Sequence, residues 1–351
     1  PVYPGLALPN ASRAAIDTVV APHADIGAFV FSGLPGTTTA GTTHSVSVAV
    51  EDTYGNAHPY SGSLPLTGVE VGEGPAQVVF AGGAATFDVT LKTAGARTLQ
   101  VQSGAVIGEA STTVSAAAAA SLAIVLADTT RPAGAATSAT VTARDAYGNV
   151  ATGFVGAVTF DSDDGAATVP AGYTFTLADA GVRQFGGVVF RTVGTQSIEV
   201  VSGAMSASDD LEVTPGADVV LVLTQAPGAA TAGTPFALTF VAQDTFGNPK
   251  LDYRGTVGFV SNDPNATLPA DVTFEAADNG SKTVTGVVLT KVGTATIDIT
   301  DIALPAATTR ATIPVGPGGA ASLTVVLGHD ERSGDDPTTV TVTARDAYGN
   351  I

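Results

Sequence analysis

Val141-Thr142-Ala143-Arg144-Asp145-Ala146-Tyr147-Gly148-Asn149 alternates apolar and polar residues and then runs into a short phrase, Asp-Ala-Tyr-Gly-Asn. The phrase returns as Asp52-Thr53-Tyr54-Gly55-Asn56, Asp244-Thr245-Phe246-Gly247-Asn248 and Asp346-Ala347-Tyr348-Gly349-Asn350, so its aspartates fall 93, 99 and 102 residues apart. That period is the length of one immunoglobulin-sized β-sandwich, and repetition on this scale marks a tandem array. Locally the phrase is turn chemistry. The Asp side chain accepts from backbone amides a few positions on, and Gly takes positive φ without strain. Each copy therefore predicts a corner between two strands. The aromatic at Tyr54, Tyr147, Phe246 or Tyr348 is expected to cover the end of the core, and Phe at 246 implies packing rather than hydroxyl chemistry.

Upstream of each corner lies a strand of period two. Val46, Val48 and Val50 point one way while Ser45, Ser47 and Glu51 point the other, and Phe236, Leu238, Phe240 and Ala242 repeat the pattern. Ala139, Val141 and Ala143, then Val340, Val342 and Ala344, hold the same inward positions with smaller side chains. Before these come first strands at 28–31, 121–126, 219–223 and 322–327. Each later one follows a small-residue or Pro/Gly segment suited to a short linker, at 115–120, 214–216 and 314–319. The alanine run within 115–120 is read as extended, because its counterparts contain Pro and Gly. Later strands such as 89–91, 188–190 and 287–289, each followed by a turn and a last strand opening at Gly95, Gly194 or Gly293, complete each unit. The fold class is all-β: tandem immunoglobulin-like antiparallel β-sandwiches in an elongated array.

The resulting divisions are an N-terminal extended segment, 1–27, that matches no repeat; a shortened first repeat, 28–118; a second, 119–216; a third, 217–319; and the start of a fourth, 320–351. Asn56 to Gly95 spans 39 positions against 45 for both Asn149 to Gly194 and Asn248 to Gly293. The missing part is expected to correspond to the stretch from 162–164 through 173–175. The chain opens at Pro1 without a signal peptide and ends just after a corner, and so reads as a piece of something longer.

Composition narrows the function. The 351 residues contain no cysteine, which excludes disulfide staples and thiolate metal sites and leaves apolar packing and strand pairing to hold each unit. Asp and Glu outnumber Lys and Arg by 32 to 14, so the formal charge of −18 repels nucleic acid. The longest apolar run, 116–127, is interrupted by Ser121 and falls short of the roughly 20 residues that span a bilayer, so no transmembrane segment is expected.

The chain resembles the bacterial immunoglobulin-like repeats of invasin/intimin-type adhesins and other large bacterial surface proteins. The resemblance rests on Val141-Thr142-Ala143-Arg144-Asp145-Ala146-Tyr147-Gly148-Asn149, Thr168-Val169-Pro170-Ala171-Gly172-Tyr173-Thr174-Phe175 and Val193-Gly194-Thr195-Gln196-Ser197-Ile198, with counterparts such as Thr267-Leu268-Pro269-Ala270-Asp271-Val272-Thr273-Phe274. It covers about residues 28–351 and is specific for fold more than for function. It implies export, tandem arrangement, and a role as spacer or adhesive module.

Candidate chemistry is sparse. Asp161, Asp163 and Asp164, matched in the third repeat by Asn262 and Asp263, offer hard oxygen ligands of the kind calcium prefers, and Asp179 and Asp278 lie in a later loop. Asp, Asn and Ser are also the commonest turn residues, and no twelve-residue calcium loop is present, so turn formation is the weightier reading. The acidic residues Asp330, Glu331, Asp335 and Asp336 have no counterpart in other repeats and read as a solvated loop. His23, His44, His58 and His329 share no repeat position and form no zinc motif. No nucleophile elbow, phosphate-binding glycine loop or cysteine nucleophile occurs, and none of Lys92, Lys250, Lys282 and Lys291 recurs in every repeat as an isopeptide cross-link would require. The sequons at Asn10, Asn265 and Asn279 are chance-level matches in a Ser/Thr-rich chain.

These observations predict a non-enzymatic extracellular, cell-surface or periplasmic stalk or adhesin, with protein or glycan surface partners. Two rival readings stand beside it: a structural subunit of a larger surface, filament or membrane-associated assembly that docks through residues 1–27, and the accessory domains of a secreted enzyme.

Overall fold

The computed structural model describes residues 24–328, 334 and 337–351. The segment before Asp25, together with His23, His329 and the acidic residues 330, 331, 335 and 336, lies outside the described residues except for Ala24. The three complete repeats share one topology. In the second, a three-stranded sheet runs in the order Val182–Val189, Ala136–Arg144, Ser121–Leu126. A five-stranded sheet runs Thr130–Pro132, Met205–Thr214, Gly194–Ser202, Ala157–Ser162, Tyr173–Thr174. All neighbours are antiparallel except Thr130–Pro132, which pairs parallel with Met205–Thr214. The chain therefore leaves the first sheet after Leu126 and joins the second within a few residues, closing the sandwich along one side.

The first repeat repeats this with Ile26–Ser32, Thr43–Asp52 and Ala84–Thr90 in one sheet. Its other sheet holds Thr37–Thr39, Val106–Ser115, Gly95–Ser103, Gly62–Thr67 and Gln77–Phe80. In the third, Val220–Gln225, Phe236–Gln243 and Ser281–Val287 face Ala230–Thr231, Thr308–Gly316, Gly293–Asp301, Thr256–Ser261 and Val272–Thr273. The start of the fourth consists of Ser322–Leu327 paired with Val340–Arg345.

The alternation read from the sequence sets these registers, because a slip of one residue would send every inward side chain to solvent. Val46, Val48, Val50, Ala139, Val141, Ala143, Leu238, Phe240 and Ala242 are all buried. Each complete repeat has its own core. Edge-to-face rings fill the second, where Phe154 and Tyr173 both meet Phe175, and the third, where Phe274 sits between Tyr253 and Phe240. Truncating a fully buried ring of this kind costs about 3–5 kcal/mol, and Phe240 is such a ring. In the fourth unit the same inward positions, Val340 and Val342, are exposed, because among the described residues no second sheet lies over them.

The alanine-rich linker is extended, as its Pro- and Gly-containing counterparts suggested; among the described residues the only helices are two single 3-10 turns, Leu177–Asp179 and Ala276–Asp278. The shortening of the first repeat lies elsewhere than expected. Its counterpart of the Tyr173–Thr174 strand is present as Gln77–Phe80, and a buried acid, Glu73, stands in the preceding loop. What is missing is the 3-10 turn: the chain passes from Phe80 to Ala84 through Gly82 and Gly83, both at positive φ. Two glycines make the short reversal that longer loops achieve with a capped helical turn.

Candidate functional site

The recurring corner is built first from its own atoms. Asp145 Oδ1 accepts the amide N–H of Tyr147 and of Asn149, both at 2.9 Å. The Asp145 N–H reaches Asn149 O at 2.9 Å, while Gly148, at φ 86°, donates back to Asp145 O at 3.1 Å. The same set recurs around Asp52, Asp244 and Asp346. This much is the turn the residue types predict.

The second carboxylate oxygen leaves the turn. Asp145 Oδ2 accepts the Ala117 N–H at 2.9 Å, Asp244 Oδ2 that of Gly216 at 2.7 Å, and Asp346 Oδ2 that of Gly318 at 2.9 Å. Each donor belongs to the linker entering the repeat, so the corner ties down the chain that connects it to its predecessor. Burial pushes the Asp145 and Asp244 carboxyls upward. The hydrogen bonds from Asn149 and Ala117, and from Asn248 and Gly216, outweigh it and hold both below the usual carboxylate range. The same balance brings Asp346 down to about 2.

The asparagine crosses the boundary outright. Asn149 Nδ2 donates to Lys92 O at 2.8 Å and Asn149 Oδ1 accepts the Ala94 N–H at 2.9 Å, both in the loop that crosses between the two sheets of the preceding repeat. Asn248 does the same with Arg191 O at 2.7 Å and Val193 N–H at 3.1 Å. Asn350 does so with Thr290 O at 2.8 Å and Val292 N–H at 3.3 Å. A side-chain amide here imitates one rung of a β-ladder.

The aromatics do not cover the core of their own repeat, contrary to expectation. Tyr147, Phe246 and Tyr348 are 44%, 43% and 50% exposed and lie against Gly41, Gly134 and Gly233 of the repeat before. A Cβ at any of these glycines would overlap the ring, and all three have φ between +82° and +86°, so glycine is required by both space and backbone. Arg191 adds a cation over the Phe246 ring at 5.8 Å. In the first repeat Tyr54 is 78% exposed, and Asn56 Nδ2 is directed to both Asp52 oxygens at 3.1 and 3.3 Å.

The inter-sheet loop that receives each asparagine is anchored by an acid of its own repeat. Asp164 Oδ2 accepts the N–H groups of Arg191 and Thr192, while Oδ1 accepts Ala166 N–H and the Thr192 hydroxyl, at 2.6–3.1 Å. Asp263 accepts from Thr290, Lys291 and Asn265 N–H. Burial again raises both carboxyls, and these donors more than reverse it. In the first repeat Glu73 takes the part: Oε1 accepts Lys92 N–H at 2.5 Å, and Oε2 accepts Glu70 N–H and the Arg97 guanidinium at 2.8 and 3.0 Å. A continuous path thus runs from buried acid to inter-sheet loop, to asparagine, to corner aspartate, to linker.

The residues considered for calcium fall within or beside these anchors. Asp161 Oδ1 accepts Ser162 N–H, Asp163 Oδ1 accepts Ser197 N–H, and Asn262 Oδ1 accepts Thr296 N–H. With Asp164 and Asp263 turned to the inter-sheet loop, these oxygens meet N–H donors, and no group of three acidic or histidine side chains arranged for a metal occurs among the described residues. Asp179 and Asp278 instead hold the 3-10 turns, accepting from Thr176 and Glu275 N–H and pairing with Arg183 and Lys282. His44 and His58 serve different partners, the Thr38 hydroxyl and Ala24 O. The sequence reading missed the cross-repeat role of the asparagine, the receiving glycine and the buried Glu73. A usable signal was present: Ala-Gly recurs as 40–41, 133–134 and 232–233, each glycine eleven residues before a corner aspartate.

No protein-family model matches the chain, and no curated protein matches it. Among solved structures, it is similar to the Escherichia coli adhesin FdeC at 19% identity over 83% of this chain and 98% of that one, with a TM-score of 0.41. It is similar to invasin, described as a bacterial integrin-binding protein, at 18% identity over 85% of this chain and 62% of that one, with a TM-score of 0.34. For the surface layer protein SbsC, domains 1–6, the values are 18%, 93%, 44% and 0.26. The tandem immunoglobulin-like fold stands on the strand order described above.

Proposed function

We propose that this chain is a non-enzymatic stalk or adhesive module of an exported bacterial surface protein, working at the cell surface or in the periplasm and meeting protein or glycan partners. The observation that carries this reading is the reproduction of one hydrogen-bond set at three successive junctions. The most consistently repeated polar side chains, the corner Asp and Asn and the acids that anchor the inter-sheet loops, are thereby committed to joining sandwiches. Linkage by short, pinned connections gives reach at low cost in orientation, which suits presentation of a surface away from its base. The acidic balance of the chain keeps such an array soluble and discourages self-association.

Small-angle scattering and negative-stain imaging of the full chain test the stalk. A string of sandwich-sized bodies with a maximum dimension close to their summed lengths is expected; a compact globule overturns it. Adhesion is tested separately by binding of the labelled chain to immobilised extracellular-matrix proteins and glycans, with saturable binding expected to at least one class.

A further inference from the structure

We propose that the inter-sheet loop at the end of each sandwich is a recognition socket for the Asp-x-aromatic-Gly-Asn corner as such, so that any repeat of this kind docks on any other and the order of repeats is free. The proposal does not depend on adhesion. It rests on which atoms meet at the three junctions. The receiving carbonyls belong to Lys92, Arg191 and Thr290, and the receiving N–H groups to Ala94, Val193 and Val292. Lys, Arg and Thr stand at the first position and Ala, Val and Val at the second, yet the bonds are the same, because the asparagine reads only backbone.

The aromatic contact is equally indifferent to neighbours. Its platform is a glycine in every case, and either Tyr or Phe rests on it. The linker is read in the same way, through a backbone N–H of Ala117, Gly216 or Gly318, always 28 residues before its aspartate. Even the anchor behind the socket tolerates change, since Glu73 in the first repeat presents Lys92 as Asp164 and Asp263 present Arg191 and Thr290. Specificity therefore resides in the corner, which is common to all repeats. The partner that fits the socket is a repeat carrying that corner, whatever its other surfaces.

The test exchanges segments 119–217 and 218–319 within the full chain, cuts that preserve the 28-residue linker spacing. Hydrogen exchange is read at the three loop amides and at the core strands. Protection of Ala94, Val193 and Val292 N–H is expected to match the native order within about twofold. Asn248→Ala supplies the decisive readout: it should speed exchange about five- to tenfold at Val193 in the native chain, and at Ala94 in the exchanged one. An exchanged chain with protected cores but unprotected loop amides overturns the proposal. So does one whose sandwiches fail to form, because the exchange leaves every core intact, and so does an Asn248→Ala effect that stays at Val193 in both orders.

Discussion

Asp164 and Asn149 stand at the two ends of one kind of connection, and they differ in what they hold. Asp164 is a buried charge that accepts four hydrogen bonds inside its own sandwich. Asn149 is a neutral amide, partly exposed, that spans two sandwiches by one donated and one accepted bond to neighbouring backbone. Removing a partner from the first strands several N–H groups away from water, whereas the second gives its partners back to solvent. Stability is therefore concentrated within the repeats and orientation between them.

The widest break in that comparison is Asp164→Ala. It should lower the stability of the second repeat by about 3 kcal/mol, seen as an earlier urea transition reported by exchange of its core amides, with the third repeat unaffected. Glu73→Asp comes next. The shortened side chain cannot reach both Lys92 N–H and Arg97, and the first repeat should lose about 2 kcal/mol; an unchanged transition would show that the loop follows the shorter side chain. Acid acts on the junctions. The folded pKa of Asp346 lies at about 2, below its unfolded value, so its contribution is complete above the ordinary carboxylate range and is lost as pH falls toward 2. The Gly318 amide resonance should accordingly titrate with a midpoint near 2, and a midpoint near an ordinary carboxylate would mean that the linker bond is not formed. Asn149→Ala should shift global unfolding by about 1 kcal/mol or less while freeing the Ala94 amide. Smallest of all, calcium or a chelator should leave Tm unchanged, because the buried candidates, Asp164 and Asp263, give both oxygens to N–H and hydroxyl donors; a calcium-dependent rise would place a cation on those loops.

Within a sandwich, reading the sequence was almost sufficient. Alternation at Val46, Val48 and Val50 names the buried face, because burial and period two are the same fact seen twice. At the boundary it fell short. Tyr147 in a turn reads as a lid for the nearest core, and nothing local says that the surface it covers lies a hundred residues upstream at Gly41. Asp164 and Asp263 showed the same ambiguity: an acidic loop supplies oxygens, and whether they receive a cation or a row of amides depends on how the inter-sheet loop at 191 and 290 comes back to meet them. Glu73 was hidden for a simpler reason, since the first repeat spaces it differently from its counterparts.

The fourth unit carries one more consequence. Its junction contacts lie early in its sequence, as they do in the second and third repeats: Gly318 is bonded to Asp346, Asn350 to Thr290, and Tyr348 rests on Gly233. Every junction is carried by the stretch of the incoming domain from its linker to its first corner. During synthesis or secretion in the N-to-C direction, the finished domain would act as a template on which the next nucleates, before most of its own strands have arrived. Growth of this kind is vectorial, and it shortens the time each newly emerging sheet edge waits uncovered.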